Sequence, residues 1–275
     1  MADEREIAAY YDKGEEAGRL GDWGRLEFAR TMELLERYLP GPPAVVLDVG
    51  GAAGAYALPL ARNGYEVHLV DPMELHVEQA RAASDRALAS ARVGDARDID
   101  VGDASADAVL MLGPLYHLTE RADRDRALAE AMRVLRPGGL LAAAAISRFA
   151  STIDGLARGF LLQPGFERIV ERDVAEGQHR NPDRVPAWFT TAYFHRPEEL
   201  ENEVRGAGFE LRALLAVEGP FGAGAEAGAL DAWLDDPGRR ALLLRTIARV
   251  EAEPSLLGAS PHLLAVATRP GGRVT

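Results

Sequence analysis

The sequence of 275 residues contains no cysteine and one lysine, Lys13. Without cysteine the chain can form no disulfide, thiolate nucleophile, Cys-ligated zinc site or iron–sulfur cluster. A single lysine near the N-terminus also argues against a lysine-dependent catalytic mechanism. The six histidines are scattered and show no metal-ligand spacing, so we expect no bound metal.

Positive charge and long apolar runs are also scarce. The chain has 31 Lys+Arg against 43 Asp+Glu, a formal net charge of −12. Such a surface repels a phosphate backbone, so we expect no nucleic-acid partner. No apolar run reaches the roughly 18–20 residues that span a bilayer. The N-terminus, Met1–Arg5, lacks the apolar core of a secretory signal. We therefore expect a cytoplasmic protein with no membrane partner.

Short apolar segments alternate with helical patterns over the first half of the chain. Predicted strands cover residues 44–49, 66–70, 91–93, 107–112 and 140–146, and predicted helices between them include 53–63, 74–89 and 121–135. A further helical stretch, with breaks near Gly21–Gly24, is predicted over residues 3–39. Apolar strands that alternate with helices predict a parallel sheet covered on both faces.

The alternation stops after residue 147. Residues 148–195 carry two predicted helices, Phe149–Leu162 and Phe166–Glu176, and an aromatic segment, Trp188–Phe194, which is too much chain for a plain connection. After residue 195 the sequence predicts a helix from Pro197, a strand over 209–217, a helical stretch over 222–253 and a strand over 262–268. We predict an N-terminal helical segment (1–43), a core (44–147 and 196–275) and a helical cap (148–195).

A glycine-rich turn connects the first strand to the next helix. The segment Asp48-Val49-Gly50-Gly51-Ala52-Ala53-Gly54 lies where a nucleotide-binding loop belongs. Its spacing is not that of the dinucleotide pattern G-x-G-x-x-G. An acid before the glycines suits a cationic ligand better than a pyrophosphate, which binds at a helix N-terminus.

Two further acids follow neighbouring strands. Asp71 ends the second strand, about 20 residues after the loop, where an acid can hold ribose hydroxyls, and Asp95 follows the third strand. Each acid alone is explained as an ordinary surface residue. Because the carboxyl ends of parallel strands open into one crevice, the ordered set instead predicts one nucleoside site.

In these motifs the sequence resembles the class I S-adenosylmethionine-dependent methyltransferases, over residues 45–146. The resemblance rests on the Asp48–Gly54 loop, on Asp71 and Asp95-Ala96, and on Leu135-Arg136-Pro137-Gly138-Gly139 before the fifth strand. It implies an α/β, Rossmann-like fold with a seven-stranded, mostly parallel sheet and helices on both faces, into which the sequence pattern inserts the cap after the fifth strand. The family's middle loop glycine is Ala52 here.

The resemblance also implies a cofactor, S-adenosylmethionine, with S-adenosylhomocysteine as its product. The backbone around Asp48, Gly50, Gly51 and Gly54 would meet the methionine part, and Asp71 the ribose. Pro72 and Met73 would pack on the adenine, Asp95 and Ala96 would bind its edge, and Leu112-Gly113 would lie near the sulfonium. Tyr11, in an N-terminal helix that covers the cofactor site, is a further candidate contact.

Four side chains are candidates for the transfer step. Tyr116 and His117 follow the fourth strand and should face the crevice, whereas Tyr193 and His195 lie on one face of the aromatic segment in the cap. Each has a purely structural alternative as a packing or helix-capping residue. In-line methyl transfer depends mainly on alignment of the acceptor atom with the methyl group. A base is needed only where the acceptor must lose a proton.

The leading hypothesis is a methyltransferase that acts on an O, N or C atom of a small-molecule metabolite. An NAD(P)-dependent oxidoreductase on a similar sheet, and a cofactor-binding protein without catalysis, stay open as alternatives. A homodimer is compatible with the sequence but is not specified by it.

Overall fold

The structure is a computed structural model that describes residues 2–12, 24–85, 87–222 and 229–271. Most of the predicted helix break near Gly21–Gly24 lies outside these residues. So does the glycine-rich beginning of the helical stretch predicted over 222–253.

Seven strands form the central sheet: β1 (Val45–Val49), β2 (Glu66–Asp71), β3 (Ser90–Val93), β4 (Ala106–Met111), β5 (Leu135–Ile146), β8 (Glu210–Ala216) and β9 (His262–Thr268). Their spatial order is β3-β2-β1-β4-β5-β9-β8. The first five strands run parallel, and β9 is antiparallel to both of its neighbours. This is the predicted Rossmann-like fold. Because β1 has β2 on one side and β4 on the other, a crevice opens at their carboxyl ends.

Helices cover both faces of the sheet. The helices of the described residues, including those of the cap, are α1 (Ala2–Tyr11), α2 (Arg25–Tyr38), α3 (Ala57–Arg62), α4 (Glu74–Ala83), α5 (Pro114–His117), α6 (Arg121–Val134), α7 (Ala150–Ala157), α8 (Phe166–Glu176), α9 (Pro197–Gly206), α10 (Ala229–Asp235), α11 (Pro237–Ala248) and α12 (Pro254–Leu257). No helix of the described ranges is long and apolar enough to cross a membrane.

Adjacent residues of the buried strands enter different cores. Val46 packs with α2, α3 and α4, whereas Leu47 packs with α6 and α9 on the other face. Because successive side chains of a strand point to opposite faces, a sheet covered on both sides needs apolar residues at every position. That requirement explains the continuous apolar runs in the sequence.

Several predicted boundaries differ from the structure; one is the helix predicted over 74–89, which ends at Ala83. The helix predicted from Ala53 begins only at Ala57, because Gly50, Ala52 and Gly54 adopt positive φ angles that a helix excludes. Strand β5 begins at Leu135, five residues before the predicted start. The predicted helix 149–162 ends at Ala157 and is followed by a short 3₁₀ helix.

The cap is a small layer between β5 and α9. It contains α7, α8 and a two-stranded ladder of β6 (Gln178–His179) and β7 (Ala192–Tyr193) that the sequence did not predict. Phe160, Phe166, Ile169 and Trp188 form its own apolar cluster. The backbone N–H of His195 donates to the carbonyl oxygen of Ile146 at 2.8 Å, which joins the end of the cap to the end of β5.

Candidate active site

The loop after β1 brings backbone, rather than side chains, to the crevice. Gly50 has φ +71°, and a Cβ there would lie 2.7 Å from Cγ of Pro114. A Cβ on Gly51 would lie 2.6 Å from Oδ2 of Asp48. Both positions therefore require glycine, since such approaches are far inside van der Waals contact. Ala52 adopts φ +47°, a conformation that L-residues with a Cβ rarely take.

Asp71 holds this loop from the end of β2. Its Oδ2 accepts a 2.8 Å hydrogen bond from the backbone N–H of Ala52, and its Oδ1 accepts one of 2.9 Å from the N–H of Met73. Nδ1 of His76 lies 2.9 Å from the same Oδ1. Asp71 is only 4% exposed. The three contacts fix the carboxylate at the bottom of the crevice.

Asp48 is a buried carboxylate without a hydrogen bond. It is 1% exposed, and neither of its oxygens accepts a hydrogen bond from any residue that the structure describes. Burial raises the pKa of Asp48 to about 7, and the negative charge of Asp71 adds to the effect. An orphaned carboxylate in a cavity wall favours a ligand with positive charge or N–H donors.

The glycine loop and the strand ends enclose a first cavity of about 430 Å³. Thirteen of the predicted residues line it: Tyr11, Asp48, Gly50, Gly51, Asp71, Pro72, Met73, Asp95, Ala96, Leu112, Gly113, Tyr116 and His117. Gly54 does not; its N–H closes the turn on the carbonyl of Gly51 at 2.9 Å. The size lies within the range of small-molecule sites.

Several lining residues were not identified from the sequence, among them Glu27, Tyr56, His76 and Arg97. Glu27 and His76 lie on α2 and α4, which read as ordinary amphipathic helices, and Tyr56 and Arg97 lie in the segments after β1 and β3 without a motif of their own. Of these residues, Arg97 affects the ionisation of Asp95, which is one of the predicted residues. It donates to both oxygens of Asp95 at 2.6–3.1 Å, and these hydrogen bonds hold the pKa of Asp95 below its usual value despite partial burial.

Helix α1 closes one side of the first cavity. The hydroxyl of Tyr11 lies 2.7 Å from Nε2 of His117, which links α1 to the segment after β4. Asp3 accepts a hydrogen bond of 2.9 Å from the Thr119 hydroxyl, and Glu4 pairs with Arg97 at 3.0 Å. These contacts tie the N-terminal helix to the crevice side of the core.

A second cavity, of about 270 Å³, lies under the cap. Tyr11 and Tyr116 line both cavities, so the two meet at these side chains. The hydroxyl of Tyr116 donates to the carbonyl of Leu112 at 3.1 Å, which fixes its ring at the junction. The remaining lining includes the aromatic side chains of Tyr10, Phe160, Phe166, Trp188, Phe189 and Phe194 and a polar end that contains Asp154, Arg158 and His262.

Tyr193 and His195 line neither cavity, so the structure does not bring these two predicted residues to the junction at Tyr116. Alternation does place them on one face, with ring centroids 4.7 Å apart, but that face points to α6 and α9. His195 is fully buried with Nε2 3.3 Å from Glu203, and the guanidinium of Arg124 lies 3.9 Å from the Tyr193 ring. Burial lowers the pKa of His195, which favours the neutral imidazole.

Comparison with known proteins agrees with this architecture. Residues 47–143 match a methyltransferase-domain family model. A demethylmenaquinone methyltransferase of Deinococcus radiodurans is 30% identical over 176 residues, 62% of this chain and 69% of that protein. An uncharacterized methyltransferase of Mycobacterium tuberculosis is 37% identical over 109 residues, 40% of this chain and 42% of that protein. The chain thus spans under half of that mycobacterial relative.

Among solved structures, a methyltransferase of Thermotoga maritima described as a possible histamine N-methyltransferase superposes with a TM-score of 0.60. It is 21% identical, and the match covers 96% of this chain and 99% of that chain. This likeness concerns the fold. Together, the fold, the crevice and the sequence matches define the class: the chain belongs to the class I S-adenosylmethionine-dependent methyltransferases.

Proposed function

We propose that the protein transfers the methyl group of S-adenosylmethionine to a small-molecule acceptor bound in the second cavity. The observation that carries the proposal is the buried, unpaired carboxylate of Asp48 in the wall of the first cavity. When bound, S-adenosylmethionine supplies an activated methyl group on a positively charged sulfur. A carboxylate without a partner complements such a cation at close range.

The glycine loop completes the fit of the first cavity to the cofactor. Gly50 and Gly51 let backbone amides approach a ligand that a Cβ would displace. Asp71 would hold the ribose, Pro72 and Met73 would flank the adenine, and Asp95 with Ala96 would meet its edge. Leu112 and Gly113 would lie near the reacting sulfur. Tyr11, from α1, would cover the bound cofactor.

The acceptor would enter from the cap side. The second cavity meets the first at Tyr11 and Tyr116, so an acceptor there would lie next to the donor. Residues 148–195 would then act as a substrate-specific cap, residues 1–43 as the cover of the cofactor site, and the rest as the core. The net charge of −12 favours a small molecule over a nucleic acid as acceptor.

Catalysis would rest mainly on alignment of acceptor and methyl group at the junction of the cavities. Holding two reactants close and collinear removes much of the entropic barrier of a bimolecular displacement. Tyr116 lies at this junction, and His117 lines the first cavity beside it, with Nε2 2.7 Å from the Tyr11 hydroxyl; the two side chains would orient the acceptor or assist loss of its proton.

The test is a screen of hydroxyl, amine and carbon acceptors with S-adenosylmethionine, with S-adenosylhomocysteine formation as the readout. We expect acceptor-dependent turnover that falls in Tyr116→Phe or His117→Asn while cofactor affinity changes little. Tyr38→Phe, on α2 and outside both cavities, is the matched control. Tight cofactor binding without turnover for any acceptor class would instead support a non-catalytic binding protein.

A further inference from the structure

His262 and Glu218 form a hydrogen-bonded pair at the polar end of the second cavity. His262 is the first residue of β9 and lies opposite Ile146, the last residue of β5. Its Nδ1 lies 2.5 Å from Oε1 of Glu218. The carboxylate of Glu218 is buried, and its Oε2 also accepts from the hydroxyl of Ser260 at 3.0 Å and from the N–H of His262 at 3.2 Å. Glu218 is therefore fixed before any ligand binds.

This contact sets the proton positions on the imidazole. A carboxylate only accepts hydrogen bonds, so Nδ1 carries the proton and Nε2 is the basic nitrogen. A buried carboxylate at Nδ1 also stabilises the imidazolium that forms when Nε2 takes up a proton. The pair thus has the arrangement of a general base with an orienting acid.

The location of His262 suits a role at the acceptor. His262 lines the second cavity, and Glu27, whose carboxylate lies 3.9 Å from Nδ1 of His262, lines the first. The imidazole therefore stands close to the boundary between the two cavities. The charged groups that face this end are Glu27 from α2, Glu218 before β9, and Asp154 and Arg158 from the α7 region. Burial raises the pKa of Asp154, and the nearby positive charge of Arg158 opposes that effect.

The rest of the second cavity favours a flat ring. Its lining includes the aromatic side chains of Tyr10, Tyr116, Phe160, Phe166, Phe189 and Phe194. Aromatic side chains prefer offset or edge contacts with another ring, and a volume of about 270 Å³ is roughly that of nine water molecules. The cavity therefore has space for a small ring system.

We propose that His262, oriented by Glu218, is the general base of the second cavity and takes the proton of an aromatic hydroxyl group on the methyl acceptor. This inference rests on the proposed function, because it places the acceptor in the second cavity. In the step, the O–H bond of the acceptor breaks, its proton moves to Nε2 of His262, and the electron pair stays on oxygen as the nucleophile. Glu218 is a positioning residue, and the proton leaves to solvent after transfer.

The acidity of the acceptor hydroxyl determines which type of hydroxyl group a histidine can deprotonate. A phenol, like tyrosine, has a pKa of about 10, whereas water is near 15.7, and histidine is near 6.5. Proton transfer to histidine is thus uphill by roughly 3–4 pKa units for a phenol and by about 9 for water-like hydroxyls. A histidine base therefore fits an aromatic hydroxyl best.

The experiment uses 4-nitrophenol, whose phenolate is coloured, as a probe of the full-length protein in complex with S-adenosylhomocysteine. Absorbance titration against pH gives the ionisation midpoint of the bound probe. We expect the wild-type midpoint to lie at least about one pH unit, a tenfold change, below that of the free probe. In His262→Asn the midpoint should return to the free value or rise above it, because an aromatic cavity disfavours an anion.

Matched variants separate a chemical role from a structural one. His262→Asn keeps an amide that can donate to Glu218, so the local fold is preserved. Glu218→Gln should reduce the midpoint shift, whereas His68→Asn, a partly exposed histidine of β2 outside both cavities, should leave it unchanged. Thermal unfolding of each variant establishes that the measured protein is folded.

Two results would overturn the inference. One is a probe that binds the wild-type protein with a midpoint at or above that of the free phenol, and the other is a wild-type protein that does not bind the probe. Calorimetry with S-adenosylmethionine on the same samples separates the two proposals. Intact cofactor binding with an unshifted midpoint rejects only the base, while absence of cofactor binding rejects the proposed function.

Discussion

The backbone N–H of Ala52 donates a 2.8 Å hydrogen bond to Oδ2 of Asp71, across 19 residues of sequence. This bond joins the glycine loop after β1 to the acid at the end of β2. One carboxylate therefore shapes the loop and also lines the first cavity. With the first cavity assigned to the cofactor as proposed, loop geometry and cofactor contact would be coupled, so changes at either residue should affect both.

Replacement of Asp71 by asparagine should weaken cofactor binding. The two oxygens of the carboxylate contact Ala52, Met73 and His76, whereas the asparagine amide has only one oxygen that can accept a hydrogen bond. Loss of a charged hydrogen-bonding group costs about 1.5–3 kcal/mol, or roughly ten- to a hundredfold in affinity. Calorimetric titration with S-adenosylmethionine measures the change. Asp103→Asn, an exposed acid outside the first cavity, is the control, and equal affinity of the two variants would reject the ribose assignment.

Replacement of Ala52 by glycine should stabilise the protein. Ala52 adopts φ +47°, in the left-handed region that costs a residue with a Cβ about 1–2 kcal/mol. Glycine relieves that cost but loses some entropy on folding, so the free energy of unfolding should rise by about 0.5–1 kcal/mol. Denaturant unfolding measures it. Ala53→Gly, where φ is not positive, should instead lower stability by about 0.4–1 kcal/mol; the same sign for both variants would contradict the strain at Ala52.

Asp48 should make the stability of the cofactor-free protein depend on pH. Burial raises its pKa from the ordinary 3.8 of an aspartate to about 7 in the folded state, so between these pH values the folded state binds an extra proton. The contribution of Asp48 to the free energy of unfolding should then be greatest below about pH 4 and should fall as the pH rises to about 7. At 1.36 kcal/mol per pKa unit, the loss is at most about 4 kcal/mol.

Urea unfolding at several pH values, compared between the wild-type protein and Asp48→Asn, measures this contribution. The variant lacks the titrating group, so the difference in unfolding free energy between the two proteins should change across this pH range. A constant difference would show that the Asp48 carboxyl does not titrate there. Saturating S-adenosylmethionine should reduce the wild-type loss at pH 7–8 if it supplies the missing partner.

His195→Asn should affect stability rather than activity. The imidazole is fully buried beside Glu203, and it lines neither cavity. Loss of its contact with a buried charge should cost about 1–3 kcal/mol of unfolding free energy, with unchanged affinity for S-adenosylmethionine. Thermal unfolding and calorimetry measure both. A stable variant that binds the cofactor but has lost turnover would restore His195 as a catalytic candidate.

The sequence predicted the lining of the first cavity better than the lining of the second. Asp48, Gly50 and Asp71 lie in local motifs at strand ends, and parallel strands bring their ends together whatever the remaining packing. The sheet was predictable for a related reason, because strands buried on both faces, such as β1, are apolar throughout. Arg97 and His76 carry no motif and were found only through their contacts.

The acceptor side depends on how the cap packs over the sheet. Alternation correctly paired Tyr193 with His195, but it does not say which face meets a cavity, and Arg124 and Glu203 decide that through long-range contacts. His262 is likewise an ordinary first residue of a strand in the sequence. Its role becomes visible only when the chain places Glu218, 44 residues earlier, at its Nδ1.

The most direct test of the central claim is calorimetric titration of the purified protein with S-adenosylmethionine, S-adenosylhomocysteine and NADH. The account predicts micromolar or tighter binding of the first two, at least tenfold weaker in Asp71→Asn, and no binding of NADH. Binding of NADH alone, or of neither sulfur compound, would contradict the assignment of the first cavity to the methyl donor.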